Sequence, residues 1–162
     1  ILFRKKGGLF TGWLSYHINN TKFNFPELNN GKSFSPNYGK IHEFKTVLTT
    51  NILNTYLTAT WVLSSGASYT NIQNLSVGPG YNIIVSENKN NENLEMSHHL
   101  DISVNKNIKF TKFRIDVGCS VYNLYNNKNI SHKRYNPYTQ EISMKDIAMF
   151  GITPSFFIKA IF

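Results

Sequence analysis

The sequence predicts an all-β fold: an antiparallel, up-and-down segment of a transmembrane β-barrel. Two observations predict this fold. Apolar and polar residues alternate with a period of two along most of the chain. The connections between these segments are alternately short and long. No run of about 18 apolar residues occurs, so only strands are available to carry this chain through a bilayer.

The predicted strands are segments rich in Thr, Tyr, Phe, Val and Ile, which are residues favoured in β-sheets. Alternation is clearest where Leu100, Ile102 and Val104 share one face and Asp101 and Ser103 share the other. Each segment therefore has one apolar face and one polar face. The segments are 1–5, 9–25, 41–53, 55–72, 97–108, 112–130 and 142–162.

The connections predict how the strands are joined. Three of them have the size of hairpin turns, around Gly7 and Gly8, at residues 51–54, and around Lys109. If short and long connections alternate strictly, all short turns lie at one end of the sheet and all long loops at the other, as in outer-membrane barrels. The long connections are 26–40, 73–96 and a tip near 137–141.

Composition adds further limits. The chain has 162 residues, 41% of them hydrophobic, which is enough apolar material for a folded domain. Its single cysteine, Cys119, excludes a disulfide framework and is interpreted as an unpaired apolar residue. The first residue is Ile1 and no signal peptide follows it, so the chain is expected to be processed or to be a piece of a longer one.

The net charge of +8 raises the question of an anionic partner. The lysines are scattered over turns, loops and strand ends instead of forming one stripe, so no nucleic acid partner is predicted. Basic outer loops would suit the headgroups of lipopolysaccharide or an anionic substrate such as a ferric chelate.

Candidate chemical groups are few. His98 and His99 are adjacent, so on a strand they point to opposite faces and are not expected to share a metal ion. The carboxylates Asp101 and Asp116 are interpreted as ion-pair partners of nearby basic residues, Arg114 and Lys106. No Ser-His-Asp, Cys-His, zinc or phosphate-loop arrangement has convincing spacing. The sequence therefore predicts no enzyme, no catalytic residue, no metal site and no cofactor.

Six motifs follow one another along the chain: GWLSYHINNTKFNF, GKIHEFKTVLTTNI, TATWVLSSGASYT, SHHLDISVNKNIKF, VYNLYNNKNI and ITPSFFIKAIF. In this order they resemble the C-terminal end of TonB-dependent outer-membrane receptors, most closely those of Bacteroidota. Two departures from the family pattern are visible: residues 40–43 read KIHE where a basic-His-acidic start is usual, and His99 replaces the usual basic residue before Leu100.

The resemblance implies a 22-stranded barrel with a plugged lumen, of which residues 1–162 supply six to seven strands as its C-terminal part. The plug domain and the remaining strands would lie outside this sequence. The implied function is import of a scarce nutrient, such as a ferric siderophore, another metal chelate or an oligosaccharide, across a Gram-negative outer membrane with energy from TonB. The implied partners are the TonB energy-transducing complex, the barrel-assembly machinery, and outer-membrane lipid and lipopolysaccharide.

The last strand has its own predicted role. Phe156, Ile158 and Phe162 alternate along it, and in the resembled family such a strand with a terminal Phe is the signal for barrel assembly. Pro154 cannot donate to a sheet ladder, so it is expected to mark a bulge or an unpaired position. Tyrosines near segment ends are candidates for an interfacial aromatic girdle: Tyr69, Tyr122, Tyr125, Tyr135 and Tyr138.

Two alternatives stay open. The first is a small complete outer-membrane barrel that acts as a porin or an adhesin. The second is a soluble β-sandwich that binds carbohydrate through Trp13, Trp61 and exposed tyrosines. Alternation of short and long connections favours the barrels over the sandwich.

Overall fold

The computed structural model describes residues 1–72, 74–78, 81–85, 88–135 and 144–162. Almost all of the regular structure in these ranges is β-strand, and the one exception is a short 3-10 turn at Asn29–Gly31. The strands are β1 (Leu2–Lys5), β2 (Phe10–Ile18), β3 (His42–Ile52), β4 (Thr55–Ser64), β5 (Ser68–Tyr69), β6 (Asn74–Gly78), β7 (Tyr81–Val85), β8 (Glu92–Asn93), β9 (Ser97–Lys109), β10 (Arg114–Tyr122), β11 (Ile130–Tyr135), β12 (Met144–Ala148) and β13 (Thr153–Ile161).

Seven strands form one antiparallel sheet in the order β1-β2-β3-β4-β9-β10-β13. Each strand pairs with the next sheet strand along the chain, which makes the sheet an up-and-down meander. The all-β, antiparallel prediction is therefore confirmed, and each predicted segment contributes one strand to this sheet. The sheet is not closed into a barrel: β1 and β13 each have a single neighbour in it.

The three predicted short turns join neighbouring sheet strands at one end of the sheet. Leu53 and Asn54 connect β3 to β4 and both have positive φ (49° and 60°), as a two-residue type I′ turn requires. Between β9 and β10, the Phe110 N–H donates to the Phe113 carbonyl at 2.9 Å and closes another tight hairpin. Gly8, with φ of 93°, lies in the β1–β2 turn.

The three long connections lie at the opposite end of the sheet, and the second and third contain strands of their own. Residues 73–96, predicted as a long polar connection, contain β6 and β7, which pair with each other, and β8, which pairs with β5. In the last long connection, β11 pairs with β12. The predicted tip near 137–141, and residues 79 and 80 of the Gly-Pro-Gly turn, lie outside the described residues.

Several predicted strands are longer than the real ones. The segment 9–25 ends as β2 at Ile18, because Phe23 and Phe25 belong to an aromatic cluster in the following loop. The segment 112–130 ends as β10 at Tyr122, because Asn123 adopts a positive φ of 52° that a strand cannot continue. The segments 55–72 and 142–162 each divide into two strands.

The short-turn ends of the strands are staggered. Gly12, Leu48 and Ile102 lie in one row across the sheet, with Ala59 between the last two. These residues lie at different distances from the short-turn ends of their strands. Gly12 is two residues from that end of β2, Leu48 is four residues from that end of β3, and Ile102 is seven residues from that end of β9. A step of about one to two residues per strand corresponds to a strand tilt of roughly 45°, given the rise per residue and the spacing between strands.

The described residues contain little conventional core. Phe34, in the first long loop, is their only large apolar side chain that is buried. The sheet is instead held by backbone hydrogen bonds between strands and by close contact of neighbouring backbones. At Gly12, for example, a β-carbon would overlap the carbonyl oxygen of Val47 on the neighbouring strand. The apolar face of the sheet is therefore left uncovered within the part of the chain that the structure describes.

Candidate membrane-facing surface

One face of the seven-stranded sheet is apolar along its whole width. Ladder partners in an antiparallel sheet point to the same side, so the register assigns each side chain to a face. Exposed side chains on this face include Leu48 at 53% and Phe156 at 88%. An apolar surface of this extent marks an interaction with a membrane or a protein. Its members include Phe10, Leu14, Leu48, Leu57, Trp61, Leu100, Ile102, Val104, Ile108, Ile115, Val117, Cys119 and Val121.

The opposite face is polar, and its side chains contact one another across the strands. The hydroxyls of Ser120 and Ser155 lie 2.7 Å apart, and those of Thr49 and Thr58 lie 3.0 Å apart. Such pairs satisfy hydroxyl groups without a covering layer. The sheet is thus two-sided, as the alternation predicted.

The three predicted assembly-signal residues lie together on the apolar face of β13. Phe156, Ile158 and Phe162 are 88%, 76% and 98% exposed. Their strand is an edge of the sheet, so one side of its backbone has no strand partner within the described residues. The geometry brings these three residues into one exposed row, and their role in assembly stays a prediction.

Pro154 sits in β13 without the predicted bulge, because it pairs with Val121 in an unbroken register. Phe110 and Phe113 form a hydrogen-bonded pair, and hydrogen-bonded pairs alternate along an antiparallel ladder. By this alternation the backbone of Val121 bonds to β9, so Pro154 opposite it directs its nitrogen toward the open edge. A residue without an N–H is tolerated at an edge position of this kind.

Aromatic residues flank the apolar face at both ends. At the long-loop end, His98 Nδ1 and Tyr125 Oη are 2.8 Å apart, and Trp61 Nε1 donates to the same hydroxyl at 3.3 Å. Tyr16 Oη and His42 Nδ1 form a matching pair at 2.9 Å.

At the short-turn end, the rings of Phe110 and Phe113 stack at 4.4 Å, and Phe162 lies 6.2 Å from Phe113. Amphipathic side chains thus mark one end of the face and wholly apolar rings mark the other. Both groups lie where the strands leave the apolar region.

The predicted girdle is largely wrong in its members. Of the four predicted tyrosines that the structure describes, only Tyr125 contacts the end of the apolar face. Tyr122 packs against His99 on the polar face, with 4.8 Å between ring centroids and 45° between ring planes. Tyr69 and Tyr135 lie in the long connections, and Tyr138 is outside the described residues. Strand parity could have shown this for Tyr122, because that residue shares the side of Ser120.

The chain makes an asparagine-built corner where β10 ends. Asn123 is completely buried, its N–H donates to Asp101 Oδ1 at 2.9 Å, and its side chain bonds the backbone of Asn127 and Phe150. Asn129 exchanges hydrogen bonds with the backbone of His98 at 2.9 Å in both directions. These contacts fix the third long connection to β9 and to the approach of β13. No single-residue signal in the sequence pointed to this cluster.

Of the predicted charge partners, Arg114 is confirmed and Lys106 is wrong. Arg114 pairs with Asp116, its neighbour two positions along β10, at 3.1 Å. Asp101 lies 3.5 Å from His99 on the polar face, whereas Lys106 points to the apolar face, so the predicted pairing of Lys106 with these carboxylates is wrong. The error is one of strand parity.

His98 and His99 do point to opposite faces, as expected: His98 contacts Tyr125 and His99 contacts Asp101. Among the described residues, no three metal-ligating side chains come together.

The long connections contact one another and form a layer at their end of the sheet. The first and second are joined where Asn29 bonds the backbone of Lys89. The second and third meet where the ammonium of Lys133 lies 5.4 Å from the ring of Tyr69. Burial, followed by a 2.7 Å hydrogen bond to Glu92, raises the pKa of Tyr69 to about 12, so its hydroxyl remains a donor at neutral pH.

Comparison with protein-family models, curated proteins and solved structures finds no match to this chain. In the part of the chain that the structure describes, no helix is long and apolar enough to span a membrane.

Proposed function

We propose that this chain forms part of the wall of an outer-membrane β-barrel, with the apolar face of the sheet against lipid and the polar face toward the lumen. The observation that carries the proposal is the tilted, two-sided meander with all its short turns at one end. Alternating apolar and polar residues, short turns on one side and long loops on the other are features of this class of barrel. The free edges β1 and β13 then pair with further strands of the same barrel.

The dimensions of the apolar face support the proposal. Its two aromatic ends are marked by His98, in β9, and by Phe110, the residue that directly follows β9. The twelve-residue separation spans about 40 Å along the strand, which a tilt of about 45° reduces to about 28 Å along the membrane normal. That height matches the roughly 25 Å apolar band of outer-membrane barrels. Lys106 lies four residues from Phe110, and in a membrane its long stem would allow the ammonium to extend toward the interface.

The single cysteine provides the test. Cys119 is exposed on the apolar face, and Ser120 lies next to it on the polar face. We expect an environment-sensitive fluorophore on Cys119 to show blue-shifted emission in lipid vesicles and strong quenching by brominated acyl chains. The matched probe is Ser120→Cys combined with Cys119→Ser, which should respond to a water-soluble quencher instead.

Equal quenching of the two probes by the aqueous reagent would contradict a lipid-facing surface. It would leave the sheet as a soluble structure whose apolar face is covered by other protein.

The transport role is a further part of the proposal, and it rests on the ordered motifs that resemble TonB-dependent receptors. In this role the chain supplies barrel wall and outer loops, while nutrient import uses energy from TonB through regions outside this sequence. The proposed role involves no enzymatic reaction and no cofactor. The test is uptake: in cells that express the longer protein, import of its nutrient should stop when TonB is removed.

Phe162 is proposed to act in assembly together with Phe156 and Ile158. We expect Phe162→Ala to lower the amount of the protein in the outer membrane several-fold, because the exposed ring at the end of β13 is removed from recognition by the assembly machinery. The control is Phe157→Ala, on the opposite face of the same strand. Unchanged membrane levels for Phe162→Ala, measured by quantitative blotting of outer-membrane fractions, would remove the assembly role.

The carbohydrate-binding sandwich has less support. Trp13 pairs with Val47 and Trp61 with Thr46, so the two indoles lie on opposite faces of the sheet and cannot form one sugar platform. A small complete barrel shares the same two-sided wall, and the fluorophore test does not separate it from a larger one. The size of the barrel is read from the molecular mass of the folded protein.

A further inference from the structure

The first two long connections enclose a cleft of about 330 Å³. Its floor is an aromatic cluster in which Phe34 is 6% exposed and lies 6.1 Å from both Phe23 and Phe25. The backbones of Phe23 and Phe34 bond each other in both directions, at 2.8 and 2.9 Å, which holds the cluster rigid. A preformed, mostly apolar pocket with a few polar groups is the usual form of a small-molecule site.

The cluster does more than stabilise its own loop, because part of it faces outward. Phe25 is 46% exposed and Tyr38 is 77% exposed, and both line the cleft. A loop that needed only a small core would have no reason to leave two rings at the edge of an open cavity. Exposed ring faces beside a cavity offer stacking surfaces to a planar ligand.

The second loop brings a positive charge to this aromatic cleft. The backbone N–H of Lys89 donates to Asn29 Oδ1 at 2.6 Å, and Asn29 Nδ2 donates to the Lys89 carbonyl at 3.1 Å. Beside it, Asn90 donates to the Ser35 carbonyl at 2.6 Å. These bonds place the Lys89 ammonium 5.9 Å from the centre of the Phe34 ring.

Charge selects the class of ligand. Lys89 takes part in none of the ion pairs found among the described residues, so its ammonium is available to an anion. It would repel a cationic ligand. A neutral sugar would need several fixed hydrogen-bonding groups, whereas the Asn90 amide at this cleft already donates to backbone. The net charge of +8 also favours the approach of anions.

We propose that this cleft binds a small aromatic anion, with the ring stacked on Phe25 and Tyr38 and the anionic group bound by Lys89. Benzoate is the simplest molecule of this class. The proposal concerns the loops alone, and it does not require the sheet to lie in a membrane. Its failure would leave the fluorophore test on Cys119 unaffected, and failure of that test would leave this proposal unaffected.

The test is titration of the full chain, refolded in detergent micelles, with benzoate and observation by NMR or calorimetry. Three related probes separate the parts of the proposal: cyclohexanecarboxylate lacks the aromatic ring, benzamide lacks the charge, and glucose lacks both. We expect saturable binding of benzoate and at least about tenfold weaker binding of each of the others, because a hydrogen bond to a charged group and ring stacking each contribute about this factor.

Two variants locate the site. Lys89→Gln should weaken benzoate binding about tenfold or more, whereas Lys32→Gln, an exposed lysine of the first loop that does not line the cleft, should leave it unchanged. Phe25→Leu keeps the apolar character of the cleft but removes the stacking surface, so it should also weaken binding. Absence of saturable benzoate binding, an equal loss with Lys32→Gln, or equal binding of cyclohexanecarboxylate would each overturn the proposal. Unchanged circular dichroism of the variants verifies that they fold.

Discussion

Val104→Arg is expected to destabilise the protein in lipid by about 2–4 kcal/mol, the cost of an arginine at the midplane on the lipid face of a barrel. Val104 lies midway between His98 and Phe110 on β9, and its ladder partners Leu57 and Cys119 are also on the apolar face. A guanidinium at this depth is too far from either interface to reach water without distorting the bilayer. The measurement is urea unfolding of the protein refolded in phospholipid vesicles.

The control for this substitution is the next residue. Ser103 faces the polar side, where its partners are Thr58 and Ser120. Ser103→Arg should therefore change the free energy of unfolding by less than about 1 kcal/mol. If both arginines cost the same, or if Val104→Arg costs nothing, the apolar face does not lie against lipid.

Asn123→Ala is expected to lower the free energy of unfolding by about 3 kcal/mol, because it leaves buried polar groups without partners and places an alanine at positive φ. The side chain of Asn123 accepts from the Asn127 N–H and donates to the carbonyls of Asn127 and Phe150. Alanine can replace none of these bonds. The residue has no exposed surface, so water cannot substitute for them.

Asn123→Gly separates the two causes, because it tolerates a φ of 52° and loses only the hydrogen bonds. It should recover about 1 kcal/mol of the loss. Leu124→Ala, at a partly exposed neighbouring position, is the control and should have little effect. Unfolding in detergent micelles, followed by tryptophan fluorescence, measures all three. If the free energy of unfolding of Asn123→Ala is within about 0.5 kcal/mol of that of the unsubstituted protein, the corner has no structural role.

The parts of the fold that were predicted correctly depend on local patterns. Alternation along 97–108 assigns faces because consecutive strand residues point to opposite sides, and β9 follows that pattern along its length. Leu53 and Asn54 lie in a turn too short for any connection except a hairpin. The order of the sheet then follows, because neighbouring strands joined by tight turns pair with each other.

The errors arise where distant contacts decide the structure. Phe23 and Phe25 alternate with polar residues as strand residues do, but they pack on Phe34 in a loop and so take no part in the sheet. Asn123 reads as one more strand residue, whereas its conformation is fixed by Asp101, which is 22 positions earlier. The cleft between the first two long connections could not be predicted from the sequence for the same reason, because its aromatic rings and its lysine come from different loops.

Pro154 decides how another strand can join β13. Along the open edge, the backbone amides of Phe156, Ile158 and Ala160 are available as donors, while Pro154 has none to offer. A strand that pairs with this edge therefore finds an unbroken series of backbone donors only from Phe156 toward the C-terminus. Pairing along the edge is expected to be complete beside Ile158 and Ala160 and to lose one hydrogen bond at the proline.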